Sequence, residues 1–169
     1  MTQDAPAFRE RLTFDAAAGA IFDQTRRYML LRPDALMGVF RHLPAPQKSA
    51  ALDALEQSIF EQGSDSARAY AKISGADPEG LMRIIAATAP HLGWGLWTFD
   101  LAPGRLTLEV RNSPFAAGHG PSPTPVCHAI KGMLRAVAEP IFGARTRVAE
   151  LTCTATGAQT CCFEALPEK

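Results

Sequence analysis

All four cysteines of this chain, Cys127, Cys153, Cys161 and Cys162, fall in one stretch near its C-terminal end, and that stretch limits what the chain can fold into. Its pattern predicts a helix followed by a β-hairpin. Thr124 suits an N-cap and Pro125 the first helical position. Cys127 then sits in the first turn, where the helix dipole favours a thiolate. Residues 145–152 read as a strand that delivers Glu150. Residues 154–160, centred on Gly157, read as a turn, and 159–166 as the return strand carrying Cys161. A tetrahedral metal site needs four N, S or O donors. Cys127, Glu150, Cys153 and Cys161 offer three thiolates and one carboxylate. Positions three apart on a flat strand face opposite sides. Glu150 and Cys153 therefore meet one ion only if the chain bulges or starts to turn by Cys153. Strand alternation turns Cys162 away from Cys161, and His128 points about 100° around the helix from Cys127. Neither is placed in the set. Spacing alone leaves two other readings open. Free cysteines often serve as small buried hydrophobes, and a disulfide would also use them, although cysteines crowded at one end do not look like a secreted framework.

The 169 residues suffice for one domain, or one domain with an N-terminal extension, with a core that needs no staples. Seventeen basic residues balance seventeen acidic ones, so no nucleic-acid or membrane footprint stands out. No apolar run reaches the length of a bilayer span, and the absence of an export signal points to the cytoplasm. Near the start, 12–14 and 28–31 read as short strands. Pro33-Asp34 opens a helix with an apolar face of Leu36, Met37, Val39, Phe40 and Leu43. A second helix covers 47–62, closed by Gly63 as its C′ residue, with a short continuation capped by Asp65. Asp77-Pro78-Glu79 starts another. From Trp94 the apolar period changes to two, and Ala102-Pro103-Gly104 joins two strands of a hairpin. Residues 112–123 read as a long loop. Ile130, Met133, Leu134 and Val137 mark the buried stripe of the Cys127 helix, and Gly132 lets a partner approach closely. The fold class is α+β. N-terminal helices pack on an antiparallel sheet of at least four strands, with one long crossing helix between two hairpins. Residues 1–91 form the helical region and 92–169 the sheet region of one compact unit.

Asn112-Ser113-Pro114-Phe115, Pro125-Val126-Cys127-His128, Glu150-x-x-Cys153, Gly157 and Cys161-x-Phe163 together resemble the 4-vinyl reductase domain family, over roughly residues 92–166. That family includes the aromatic-sensing input domains of phenol-responsive transcription activators and a protein linked to bacteriochlorophyll synthesis. The resemblance implies a structural Zn2+ held by Cys127, Glu150, Cys153 and Cys161. It also implies a pocket for a small aromatic or hydrocarbon-like ligand, which Trp94, Trp97, Phe99, Phe115, Met133 and Phe142 are placed to line; each of these taken singly reads equally as core. In the sensors a His and a Trp orient the phenol hydroxyl, and His91 or His119 are the candidates here. The resemblance further implies a homodimer through the N-terminal helices, for which Leu36 and Phe40 offer an apolar surface. The chain shows no ATPase or DNA-binding segment, so any signal passes to a separate partner. The other reading is an accessory protein or reductase of tetrapyrrole synthesis. Catalysis is not expected: Gly93-Trp94-Gly95 lacks the third glycine of a dinucleotide fingerprint, and the cysteines do not follow iron–sulfur spacing.

Overall fold

The computed structural model describes residues 8–73 and 77–168. The chain divides into two compact units, Met1–Arg32 and Pro33–Lys169. In the first, a short helix α1 (Phe8–Arg11) leads into three antiparallel strands, β1 (Leu12–Asp15), β2 (Ala20–Asp23) and β3 (Arg26–Tyr28). Thr13 pairs with Phe22, and Ile21 with Tyr28. Asp15 Oδ1 accepts the Ala18 amide at 2.9 Å in the first turn. Arg11 forms an ion pair with buried Asp23 at 3.1 Å. The sequence reading anticipated β1 but missed β2, and it placed the third strand too late. Met29 and Leu30 lie beyond β3 and are exposed.

The second unit begins with α2 (Pro33–Arg41), α3 (Ala45–Ile73) and α4 (Pro78–Thr88). Asp77 caps α4 as its sequence signature requires, accepting the Glu79 and Gly80 amides at 3.2 and 2.8 Å. Gly63 does not end a helix. It lies in the middle of the 29-residue α3, where a Cβ would meet Met133 Sδ at 2.8 Å. A glycine with helical neighbours on both sides reads as a stop signal in sequence, yet here it makes room for a side chain of a crossing helix. Leu36 and Phe40 face inward as well: Phe40 is 6% exposed and Leu36 packs on the core, so neither forms an outward dimer surface.

A 3₁₀ turn (Ala89–Leu92) leads to β4 (Leu96–Ala102) and β5 (Arg105–Arg111). Residues 112–123 are not all loop. Ser113 caps a helix α5 (Pro114–His119), accepting the Ala116 amide at 3.4 Å. Its Ser-Pro start is a helix signature that glycines and prolines further along mask. Then come α6 (His128–Phe142), β6 (Thr146–Thr152), a second 3₁₀ turn (Thr154–Thr156) and β7 (Cys161–Pro167). The sheet is antiparallel in the order β4-β5-β7-β6. Val110 faces Cys161, Leu108 faces Phe163, and Leu106 faces Ala165. These residues are fully buried beneath Ile130, Leu134 and Val137 of α6. Helix α6 in turn crosses α3 at Gly132, where a Cβ would lie 2.2 Å from the Glu56 carbonyl oxygen.

Candidate metal centre

Three loop-strand junctions converge at one end of the sheet. Helix α6 does not begin at Pro125. Cys127 is itself the N-cap, with φ −84° and ψ 43°, and His128 is the first helical residue. The Ile130 and Lys131 amides donate to the Cys127 carbonyl at 2.9 and 3.2 Å, which fixes the start of the helix. The dipole argument for Cys127 survives the shift, because the N-cap faces the same unpaired amides.

The strand-parity problem is solved by a bulge. Glu150 pairs with Phe163, but Thr152 pairs with Cys162, so Leu151 is an extra residue in β6. One inserted residue reverses the facing of everything after it. Glu150 and Cys153, three apart, thereby reach the same inner side as Cys161. The 3₁₀ turn after Cys153 then reverses the chain. The Thr156 and Ala158 amides donate to the Cys153 carbonyl at 3.0 and 3.2 Å, and Gly157 supplies the φ of 96° that the turn needs.

The resulting cluster is compact. Cys127 Sγ lies 3.8 Å from both Cys153 Sγ and Cys161 Sγ. Ligand atoms of Cys127, Glu150, Cys153 and Cys161 all lie within 4.8 Å of one another. All three thiols are fully buried. They are not disulfide-bonded. A metal–sulfur bond of about 2.3 Å in a regular tetrahedron puts neighbouring sulfurs about 3.8 Å apart, so the spacing is that of an edge shared by two ligands. Glu150 Oε2 accepts the Cys127 amide at 2.9 Å, while Glu150 Oε1 is buried with no hydrogen-bond partner. The Thr154 amide donates to Cys161 Sγ at 3.3 Å, and Ser113 Oγ lies 3.3 Å from Cys127 Sγ. Sequence reasoning missed both of these supporting groups. Ser113 was visible only as part of Asn112-Ser113-Pro114-Phe115, and nothing in the sequence announces a backbone N–H.

Electrostatics explain why this set calls for a cation. Hydrogen bonds from Cys127 and then Cys153 hold the Cys161 thiol far below its usual range. The bonds that Cys127 makes to Cys153 and Cys161, together with burial and the charge of Glu150, push Cys127 up. Cys153 is pulled down by Cys127, but its bond to Cys161 and its burial outweigh that and carry it up to about 12. Burial raises Glu150. Four acids packed together thus share little negative charge by themselves. A divalent cation stabilises all four as anions and satisfies the stranded oxygen of Glu150.

The remaining predicted residues are distributed differently. Trp94, Trp97, Phe99 and Phe115 form a chain of ring contacts, with centroids 5.0 Å apart for Trp94–Phe115, 6.4 Å for Trp94–Trp97 and 5.9 Å for Trp97–Phe99. The Trp97 indole N–H donates to the Trp94 carbonyl at 3.0 Å. Met133 lies elsewhere, against Gly63 of α3. His119 is buried on α5 with Nδ1 3.2 Å from the Gly120 carbonyl and Nε2 unpartnered. Cys162 is half-buried with its sulfur 3.5 Å from Thr160 Oγ1, outside the cluster. A surface groove of about 590 Å³ opens beside the metal hairpin, between Ala116–Ala117, Gly120–Ser122 and Thr154–Gly157; it is lined by small residues and by none of the predicted aromatics.

Comparison with solved structures places the fold. The phenol-responsive sensory domain of the transcription activator PoxR, determined with phenol, is similar with a TM-score of 0.79 and 20% identity, covering 94% of this chain and 86% of that one. A trafficking protein particle complex subunit 3 from Naegleria fowleri, covalently bound to palmitic acid, matches with a TM-score of 0.55 and 13% identity over 81% of this chain and 95% of that one. An H-NOX protein from S. oneidensis matches with a TM-score of 0.51 and 17% identity over 86% of this chain and 83% of that one. At such identities the likeness is one of fold. No curated protein sequence matches the chain. The sequence comparison itself falls on the C-terminal sheet: residues 106–167, which contain β5, α6 and all four cluster residues, match the 4-vinyl reductase domain family.

Proposed function

We propose that this chain is a binding or sensor domain for a small aromatic or hydrocarbon-like molecule, braced by a structural zinc ion on Cys127, Glu150, Cys153 and Cys161. The observation that carries the metal assignment is the 3.8 Å spacing of buried, unbridged sulfurs around a buried carboxylate oxygen with no partner. Three thiolates select zinc over magnesium or calcium. Four protein ligands leave no open position for water or substrate, so the ion supplies rigidity rather than chemistry. It fastens the start of α6 to the β6–β7 hairpin.

Support for ligand binding comes from the PoxR sensory domain, a phenol-responsive structure that covers 94% of this chain. In this reading Trp94, Trp97, Phe99, Phe115 and Met133 provide apolar walls. The Trp97 indole N–H is already engaged, so recognition there rests on shape. His119 Nε2, buried and unpartnered, provides an acceptor for a ligand hydroxyl. The signal passes to a separate partner. The reading extends to a cytoplasmic homodimer joined through the N-terminal region, where Phe14, Met29 and Leu30 are exposed. No helix among the described residues is long and apolar enough to cross a membrane.

Two measurements test the proposal. Elemental analysis should find one zinc per chain. Thermal-shift screening should show stabilisation by phenols or hydrocarbons and none by porphyrins. A ligand at a hundred times its Kd adds about 2.7 kcal/mol, or roughly 5–10 °C for a chain of this size. Stabilisation by porphyrins alone would instead support the tetrapyrrole reading and overturn this one.

A further inference from the structure

A second group of donors lies at the crossing of α3 and α6, outside the cysteine cluster. Helix α3 presents Asp53 and Glu56, three residues apart, and α6 presents His128 and Lys131 with the same spacing. His128 Nδ1 lies 3.2 Å from Glu56 Oε2 and 3.4 Å from Asp53 Oδ1. That nitrogen is nevertheless buried and makes no hydrogen bond. Lys131 Nζ meets the same Glu56 oxygen at 2.6 Å. The donor atoms of Asp53, Glu56 and His128 lie within 4.8 Å of one another.

We propose that Asp53, Glu56 and His128 form a second metal site, which takes one late first-row divalent cation such as zinc or cobalt and ties α3 to α6. A neutral imidazole with a lone pair and no partner, facing two carboxylates, is a donor set for such an ion. One nitrogen with two carboxylate oxygens suits these metals better than magnesium or calcium, which favour oxygen alone. The helices cannot drift at this point, because Gly132 sits against the Glu56 carbonyl, so the ligands are held ready. Asp53 is 64% exposed, which leaves an entry path and room for bound water. Lys131 is the built-in competitor: its ammonium neutralises Glu56 when no ion is present and must swing away when one binds. The ordinary alternative is an interhelical ion pair, which accounts for Lys131 and Glu56 but leaves the ring nitrogen unmatched.

The test uses the full chain with its cysteine cluster saturated with zinc, titrated with cobalt. A cobalt ion on nitrogen and oxygen shows visible d–d absorption without the near-ultraviolet thiolate band that a cysteine site would add. The expected result is one further equivalent without that band. Asp53→Asn and His128→Gln should each weaken it at least tenfold, and Lys131→Met should tighten it about tenfold. Asp53→Asn is the decisive variant, since it is exposed and remote in sequence from Cys127, and it should leave the zinc content and melting temperature unchanged. No second equivalent, or one that ignores both Asp53→Asn and His128→Gln, would overturn the proposal. Failure of the cysteine-site reading would look different: no zinc retained at the outset, with the band-free cobalt signal still present.

Discussion

The crossing of α3 and α6 gives a stability prediction with a sign set by geometry. A Cβ on Gly132 would stand 2.2 Å from the Glu56 carbonyl oxygen and 3.1 Å from both the Glu56 carbonyl carbon and the Phe60 amide nitrogen. Nonbonded carbon settles near 3.5 Å, so the two backbones must part by about an ångström. No side chain is available to yield, because every atom named is main chain. Overpacking of this kind costs about 1–3 kcal/mol, here at the upper end. Replacing a mid-helix glycine by alanine returns about 1 kcal/mol. Gly132→Ala should therefore destabilise by about 2 kcal/mol, a fall in Tm of roughly 4–8 °C. Two other helical glycines serve as internal controls. At Gly63 the nearest atom is the flexible Met133 sulfur at 2.8 Å, so gain and cost should cancel to within about 0.5 kcal/mol. At Gly38 the nearest atom is Arg41 Nη2 at 3.4 Å, so Gly38→Ala should stabilise by about 0.5–1 kcal/mol. Urea unfolding of the three variants with zinc in the buffer measures the order. If Gly132→Ala unfolds at the same urea concentration as the parent or a higher one, the close approach of the helices is not real.

Two further predictions concern single side chains. Cys153→Ser should lose bound zinc and much of its far-ultraviolet circular dichroism, whereas Cys162→Ser should keep both; equal metal content in the two variants would disprove the division. Burial raises the Glu56 carboxyl, but the close approach of His128 and Lys131 and their charges outweigh it, so its folded pKa lies below the ordinary 4.5. A depressed folded pKa stabilises above the unfolded value and is lost as pH falls through the folded one. Stability against pH should therefore fall less steeply below about pH 4.5 in Glu56→Gln than in the parent, and parallel acid curves would contradict the ion pair.

Periodicity in the sequence was enough to locate the four-stranded sheet, α4 and α6, because one buried face imposes a regular apolar spacing. Cys127, Glu150, Cys153 and Cys161 could be picked out because each is chemically distinctive, and the bulge that unites them was required by strand parity before it was seen at Leu151. What escaped were features decided by tertiary contact. Gly63 looks like a helix terminus unless Met133 is known to pass over it. Phe40 looks like a surface stripe unless the core that covers it is known. Helix α5 is six residues long and glycine-bearing, too short for a period, and its start is fixed by one serine hydroxyl. The aromatic chain from Phe99 to Phe115 was named residue by residue, but whether rings meet is set by the turn at Gly93–Gly95 and not by any spacing.

The metal cluster and the helix crossing share one element, and removing the ion tests how they are coupled. Helix α6 starts at Cys127, whose amide is held by Glu150 Oε2 and whose carbonyl receives the amides of Ile130 and Lys131. Five residues later, Gly132 rests on α3. Without a cation, Glu150 and Cys127 must take up protons, since burial raises the first and the neighbouring thiols raise the second. The carboxylate grip on the Cys127 amide then weakens, and the hairpin turn after Cys153 loses its anchor at Cys161. The β4–β5 pairing contains none of these residues. Hydrogen exchange after treatment with a chelator should therefore accelerate first at residues 127–132 and 153–158, while β4 and β5 remain protected. Uniform acceleration would mean that the ion holds the whole unit together. Unchanged exchange at 127–132 would mean that the packing of Gly132 against α3, rather than the cluster, is what positions the start of α6.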